Sequence, residues 1–145
     1  MTMHALNGGT WRTITLPSVR VAGVWTAVSE GWTRVSGVWQ QFYSAAAMTA
    51  AIAPTLAYGA RFGIGTATTN SVTCTPTAGT SPFTYAWTRV SGDIFTVTSP
   101  TAATTTFSKT VAPGAIYTGV YRCTITDSLG ATASATASTE VEGLV

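Results

Sequence analysis

Residues 9–42, GTWRTITLPSVRVAGVWTAVSEGWTRVSGVWQQF, repeat one pattern every fourteen positions. Each copy has a glycine two residues before a tryptophan: Gly9 and Trp11, Gly23 and Trp25, Gly37 and Trp39. This period is too short for two helices and their loop, but it accommodates two short strands and two tight turns. Because an internal repeat outranks other signals when a fold is assigned, the segment predicts an antiparallel β-meander built from hairpins.

Two-residue turns fit the centre of each copy, at Gly8-Gly9, Ala22-Gly23 and Ser36-Gly37. These turns predict the cross-strand partners: Leu6 with Trp11; Val21 with Val24 and Arg20 with Trp25; Val35 with Val38 and Arg34 with Trp39. A three-residue turn with a glycine bulge is the alternative. It would move Arg20 opposite Val24 and separate the arginine from the tryptophan.

The predicted hairpins have apolar residues on both faces, and about forty residues form too small a core to bury both. Three kinds of partner can cover the face that carries the tryptophans: the C-terminal part of the chain, other protein subunits, or sugars stacked on the indole rings. Exposed apolar patches of this kind favour other subunits. We therefore predict a subunit interface made of these residues: Trp11, Trp25, Trp39, Tyr43, Val24, Val38, Phe42, Arg20 and Arg34.

The composition limits the classes of partner. Charged residues make up 8% of the 145 residues, the net charge is +2, and the seven basic residues are scattered. Such a weak field gives little steering toward a polyanion, so we expect no nucleic-acid partner. Residues 45–57 form the most apolar window, but it is too short to span a bilayer, and the N-terminus lacks the pattern of a signal peptide. No membrane partner is expected either.

The chain is long enough for a small module and a compact domain. Residues 44–51 have small side chains without periodicity and are predicted to be a linker. The linker would separate a hairpin module, residues 1–43, from a second domain, residues 52–142. We expect the first strand of that domain within residues 52–66, at an edge of its sheet, because three glycines loosen this stretch.

A pattern of cysteine, tryptophan and tyrosine marks the second domain. Cys74 is followed thirteen residues later by Trp87, and Tyr121 stands two residues before Cys123. Alanines alternate with threonines and serines over residues 131–138, as expected of a strand with one buried face. The four residues are the core pattern of an immunoglobulin-like β-sandwich, in which the tyrosine hydroxyl would bond back to the corner preceding its strand.

The two cysteines are compatible with two chemical states. On facing strands they can form a disulfide, and a loop of this length would contribute roughly 3–4 kcal/mol in the chain-entropy model. Without a signal peptide, however, synthesis is expected in a reducing cytoplasm. Two buried thiols packed against Trp87 are equally tolerable there, so the sequence leaves both states open.

The titratable residues do not form a catalytic pattern. The acids are Glu30, Asp93, Asp127, Glu140 and Glu142. Asp93 and Asp127 stand in predicted turns, where such side chains commonly bond the local backbone. Two cysteines and the distant His4 cannot complete a four-ligand zinc site, and the sequence has no nucleophile elbow or phosphate-binding glycine loop. We expect no enzymatic activity, no metal and no cofactor.

The repeat Arg-Val-x-Gly-Val-Trp, at residues 20–25 and 34–39, resembles a repeat in virion proteins of tailed bacteriophages, often minor tail proteins. Residues 85–92 and 123–127 resemble immunoglobulin-like modules of phage structural proteins. The resemblance implies a structural protein of the tail or tail tip, assembled in the bacterial cytoplasm and bound to other virion proteins. It also implies a homo-oligomer, and the resemblance to phage fibres favours a trimer. A capsid decoration protein and a weak binder of host-surface carbohydrate are the alternatives.

Overall fold

The computed structural model describes residues 3–7, 10–14, 18–27, 30–44 and 47–145. Regular structure in these residues is β-strand without helix, so the predicted all-β class is confirmed. By its contacts the chain divides into two compact units, Met1–Ala46 and Ala47–Val145.

The first unit is a series of antiparallel hairpins. Its strands are β1 (Met3–Asn7), β2 (Thr10–Ile14), β3 (Ser18–Val21), β4 (Val24–Ala27), β5 (Glu30–Val35) and β6 (Val38–Ser44). β1 pairs with β2, β3 with β4, and β5 with β6. Within the described strands no ladder joins one hairpin to the next, so three two-stranded sheets replace the continuous meander predicted. The pairs that form are neighbours in sequence, which tight turns bring together locally.

The turns of the second and third hairpins have nearly identical geometry. Ala22 has a φ of 47° and Gly23 a φ of 86°, while Ser36 and Gly37 have values of 49° and 86°. Positive φ at both central residues is the type I′ conformation, whose twist matches that of the flanking strands. Gly23 and Gly37 adopt this backbone at no steric cost, whereas Ala22 and Ser36 adopt it at a cost because they carry a Cβ.

The register of each hairpin follows from its turn. The Cα partners are Leu6 with Trp11, Val21 with Val24, Arg20 with Trp25, Val35 with Val38, and Arg34 with Trp39. The predicted registers are therefore confirmed, and the three-residue turn is wrong. A bulge does occur in the third hairpin, but between Gly31 and Trp32, away from the turn. Gly8 and Gly9, the predicted turn of the first hairpin, lie outside the described residues.

The second unit begins earlier than the sequence predicts. Its strands are β7 (Thr49–Ala53), β8 (Leu56–Phe62), β9 (Gly65–Thr68), β10 (Val72–Thr77), β11 (Thr84–Gly92), β12 (Thr96–Val97), β13 (Thr104–Thr105), β14 (Phe107–Val111), β15 (Ile116–Thr126) and β16 (Thr132–Leu144). β7 starts inside the stretch predicted as a linker, residues 44–51, whose first residue still belongs to β6. A strand forms there because Ile52 reaches the core and β10 offers a ladder of five Cα partners.

The strands of the second unit form two sets of sheets. β7 pairs with β10 and β10 with β13, while β9 pairs with β14 and β14 with β12. β9 and β10 follow each other along the chain, as do β13 and β14. Thr68 pairs with Ser108 and, four residues later, Val72 pairs with Thr105. The two short sheets are therefore consecutive parts of one antiparallel arrangement, and the register between the parts differs by one residue. The other sheet has the order β11-β15-β16-β8, and β8 runs parallel to β16.

Alternation along β15 and β16 places the core of the second unit on one face of each of these strands. Along β15, Tyr121, Cys123 and Ile125 are buried, whereas Arg122 between them is exposed. The largest fully buried side chain of the core is Phe107. The ring of Trp87 meets the ring of Phe107 edge-on, with centroids 5.9 Å apart. The alternation predicted over residues 131–138 is confirmed along β16, where Ala137 is buried and Ser138 is exposed.

Candidate interaction surfaces

Two side chains of the predicted subunit interface are described, and both face solvent in the single chain. Val24 is 66% exposed and Trp39 is 64% exposed. Val24 follows the turn of the second hairpin, and Trp39 lies one residue beyond Val38, which follows the turn of the third. Large apolar side chains at such exposure mark a surface that a partner can cover.

The remaining interface predictions are placed by backbone register alone. Arg20 faces Trp25 and Arg34 faces Trp39 as Cα partners, so the arginine–tryptophan pairing predicted for the second and third hairpins is confirmed at the level of register. In the first hairpin the partner of Trp11 is Leu6. The side chains of the other predicted interface residues lie outside the described set: Trp11, Trp25, Val38, Phe42, Tyr43, Arg20 and Arg34.

The four residues of the cysteine, tryptophan and tyrosine pattern lie together in the core of the second unit. Trp87 donates its indole N–H to the carbonyl of Ala102 at 2.9 Å, and its backbone N–H goes to the carbonyl of Pro100. Both acceptors lie in the segment between β12 and β13. Trp87 therefore ties this segment to the sheet that contains β11.

Tyr121 bonds to a different segment from the one predicted. Its hydroxyl accepts the backbone N–H of Phe95 at 2.8 Å and donates to the carbonyl of Phe95 at 3.1 Å. Phe95 precedes β12, so the expected bond to the corner before β15 is wrong. The tyrosine instead holds the connection between β11 and β12. Phe95 lies outside the strands, and its backbone N–H and C=O bond the buried hydroxyl in place of a strand partner.

Cys74 and Cys123 are free and buried. Burial raises the pKa of the Cys123 thiol to about 12, and a hydrogen bond with Cys74 adds to the shift. Burial also raises the pKa of Cys74. Because the thiolate is the reactive form, neither residue is suited to nucleophilic chemistry at neutral pH.

Asp127 bonds the backbone of its own turn, as predicted, whereas Asp93 bonds the backbone of Thr118, which is distant in the sequence, and the local bond predicted for Asp93 is wrong. Asp127 accepts the backbone N–H groups of Thr80, Leu129 and Ala131 at 2.9, 2.9 and 2.8 Å. These bonds, led by the one from Thr80, hold the pKa of the Asp127 carboxyl below its usual value. Asp93 accepts the N–H of Thr118 at 3.0 Å.

The outer face of the four-stranded sheet is rich in hydroxyls and poor in charge. Its exposed hydroxyl side chains lie on β11, β15 and β16: Thr84, Thr88, Ser91, Thr118, Thr132, Ser134, Thr136 and Ser138. Arg122, with Cα partners Thr88 and Thr136, is the cation among them. This face follows from the alternation of alanine with threonine and serine, which leaves Ala133 and Ala135 half-buried and Ala137 buried on the opposite face of β16.

A shallow groove of about 330 Å³ crosses this face where β8, β16, β15 and β11 meet. The residues that shape it are Leu56, Ser91, Thr118, Val120, Ser138 and Glu140. The groove has no signature in the sequence. The outward phase of Ser138 and Glu140 was readable from β16, but nothing in the sequence indicates that Leu56 and Ser91 lie beside them.

Within the described ranges no group of three or more histidine, cysteine, aspartate or glutamate side chains could hold a metal ion. The described part of the chain also contains no helix with the length and hydropathy needed to cross a bilayer. Comparison with protein-family models and with curated proteins gives no match for this chain.

Proposed function

We propose that this chain is a non-enzymatic structural component of a tailed-phage virion, located in the tail or tail tip. The first unit anchors it by packing on other subunits, and the second unit is displayed outward. The observation that carries the proposal is the repeated hairpin with large apolar side chains exposed beside its turns, Val24 at 66% and Trp39 at 64%.

The way in which the strands of the first unit pair supports an assembly role. Each hairpin is a separate two-stranded sheet within the described strands, and an isolated hairpin is at best marginally stable in water. Packing against a surface is what stabilises such elements, and repeated hairpins offer repeated contacts. The proposed partners are other virion proteins and further copies of this chain. The copies would form a homo-oligomer, and a trimer is favoured.

The strand order of the second unit supports an immunoglobulin-like assignment. In such sandwiches strands A, B, E and D form one sheet, and strands C, F and G form the other. β7, β9/β10, β13/β14 and β12 have the first order, and β11, β15 and β16 have the second. Cys74 on β10, Trp87 on β11 and Cys123 on β15 then occupy the B, C and F strands, as the pattern requires.

The test of the docking proposal is a double variant, Trp25→Ala with Trp39→Ala, introduced into assembling particles. We expect the second unit to stay folded while incorporation of the chain falls, because the removed indoles belong to the proposed interface. The matched control is Leu129→Ala, which removes an exposed leucine from the turn between β15 and β16. Particles that carry the double variant at full occupancy would contradict the proposal.

A capsid decoration protein would use the same docking surface, so the location in the particle needs its own measurement. Immunogold labelling of intact virions with antibody to the second unit distinguishes the two. Gold at the tail supports the proposal, and gold distributed over the head supports decoration.

Weak adhesion to host-surface carbohydrate is a second candidate function. The observation that favours it is the outer face of the β11-β15-β16-β8 sheet, where hydroxyl side chains dominate and Arg122 is the cation of the central strands. Many copies on one particle would convert millimolar contacts into useful avidity. The full chain, immobilised at high density, is expected to retain host bacteria. Retention equal to that of a bare surface would contradict adhesion.

A further inference from the structure

The groove on the outer face of the second unit has a specific construction. β11 bulges between Arg89 and Ser91, which shifts its register against β15. Gly92 follows with a φ of 78°, and a side chain there would collide with the backbone of Thr118. The bulge and the glycine let the end of β11 lie close against β15, leaving Ser91 beside Val120 at one wall of the groove.

The polar groups of the groove are available for a ligand. The hydroxyls of Ser91, Thr118 and Ser138 and the carboxylate of Glu140 have no hydrogen-bond partner among the described residues. They occupy two neighbouring rows of the sheet, since Val120 faces Ser138 and Thr118 faces Glu140 across β15 and β16. Three hydroxyls that donate or accept and one carboxylate that accepts therefore converge on the same space.

Apolar surface lies beside these polar groups. Leu56 is 46% exposed and is the Cα partner of Ser138, and Tyr58 is 41% exposed and is the Cα partner of Glu140. The Tyr58 hydroxyl donates to Glu142 at 3.0 Å, which restrains the phenol ring next to the groove. A ligand with a C–H face and a rim of hydroxyls matches this arrangement, and that combination is characteristic of a pyranose sugar.

The charge of the groove limits the class of sugar that it can bind. Glu140 is the charged residue of its lining, and no lysine or arginine among the described residues takes part. A phosphate, sulfate or uronate group would meet an uncompensated carboxylate, which is repulsive at close range. A carboxylate can instead accept hydrogen bonds from neighbouring sugar hydroxyls through its two oxygens, and such charge-assisted bonds are the stronger kind.

We propose that this groove is a carbohydrate subsite, which binds an uncharged pyranose unit of a polysaccharide through Glu140, Ser138 and Thr118. The proposal rests on the adhesion function above and assigns that function to particular residues. It is independent of how the first unit docks. The open shape of the groove predicts weak binding by one site, which agrees with a role that depends on many copies.

The test is a titration of the full-length chain, labelled with nitrogen-15, with three sugars followed by amide chemical shifts. Maltotriose and N,N′-diacetylchitobiose are the uncharged probes, and trigalacturonate is the anionic one. We expect at least one uncharged sugar to shift the amides of Ser91, Thr118 and Ser138, and trigalacturonate to shift none. Glu140→Gln should weaken that binding about tenfold, as expected for loss of a hydrogen bond to a charged group.

Ser134→Ala is the matched control, because Ser134 is an exposed hydroxyl on the same face of β16 and does not line the groove. It should leave the affinity unchanged. Ser138→Ala is a second groove variant for the case in which Glu140→Gln disturbs folding, which the dispersion of the amide spectrum would reveal. Its expected effect is a several-fold loss of affinity.

The outcomes separate the groove from adhesion in general. Sugar-induced shifts located elsewhere, or equal losses in Glu140→Gln and Ser134→Ala, would overturn the groove assignment and leave adhesion standing. Shifts from trigalacturonate larger than those from the uncharged sugars would overturn the argument from charge. Binding of none of the three sugars would overturn the subsite proposal, and bacterial retention by the same chain would show whether adhesion fails with it.

Discussion

Single polar side chains of the second unit hold together segments that are far apart in the sequence. Asp127 fastens the turn between β15 and β16 to the backbone of Thr80, and Tyr121 fastens Phe95. Asp127 and Tyr121 each bond backbone groups that lie in irregular segments and have no strand partner. Because these bonds satisfy their own polar atoms as well, both side chains can be buried. Their removal should therefore affect stability.

The Asp127 carboxylate should make the stability of the second unit depend on pH. Its pKa is lowered in the folded chain by backbone hydrogen bonds, first that of Thr80, so its contribution is complete above the unfolded pKa. That contribution is lost as the pH falls through the folded pKa. Thermal unfolding should show a lower melting temperature for Asp127→Asn at pH 7, and the difference from wild type should shrink in acid.

Glu140→Gln is the control for this measurement, since Glu140 accepts no hydrogen bond from the described residues. If the difference in melting temperature between wild type and Asp127→Asn stays constant from neutral to acidic pH, the Asp127 carboxylate is not the source of the pH dependence.

The two cysteines should be inert in the folded chain. Both are buried, and burial raises the pKa of Cys123 to about 12, so little thiolate forms at neutral pH. Alkylation followed by mass measurement should detect no adduct on the native chain and two adducts after denaturation without reductant. Rapid labelling of the native chain would contradict this expectation, and absence of labelling after denaturation would show that the pair is a disulfide.

At the scale of elements, the hairpins of the first unit depend on their turns. Ala22 and Ser36 adopt positive φ although they carry a Cβ, and this left-handed backbone costs roughly 1 kcal/mol for such residues. Asparagine tolerates the conformation and forms the preferred Asn-Gly turn. The turns are therefore suboptimal by sequence, and they can be strengthened or weakened without touching the proposed docking surface.

Ala22→Asn should stabilise the second hairpin, and Gly23→Ala should destabilise it by about 1 kcal/mol through its φ of 86°. A Cβ at Gly23 has nothing within 4 Å, so the effect is one of backbone conformation and not of collision. Amide hydrogen exchange at Val21 and Val24 measures the change. Slower exchange in Gly23→Ala than in wild type would contradict the type I′ assignment.

At the scale of the whole molecule, the two units are suited to different tasks. In the first, the described strands form separate hairpins with Val24 and Trp39 exposed, and the second has a continuous core of its own. Loss of the proposed assembly contacts should therefore leave the second unit folded. This separation of stability from association is what the docking proposal requires.

The purified chain is expected to be a homo-oligomer in solution. Light scattering coupled to gel filtration should report a mass above that of one chain, and Trp25→Ser with Trp39→Ser should shift the mass toward a monomer. Leu129→Ser, on an exposed turn of the second unit, should leave it unchanged. A wild-type chain that is monomeric at every concentration measured would contradict the proposed self-association.

The parts that the sequence predicted correctly depend on short-range information. The register that places Arg20 opposite Trp25 follows from a two-residue turn, because a tight turn determines which neighbours can pair. The burial of Cys74, Trp87 and Cys123 follows from alternation, because successive side chains of a strand point to opposite faces.

The sequence by itself determined the all-β class and the main core residues of this protein, and it left two registers open for the hairpins, between which the structure decided. Only the tertiary structure decided that Tyr121 bonds to Phe95, that β7 begins at Thr49, and that Leu56 lies beside Ser138. The physical reason is separation along the chain. Turn chemistry and alternation act between near neighbours, whereas these contacts join distant strands, whose order in a sheet depends on how the whole core packs.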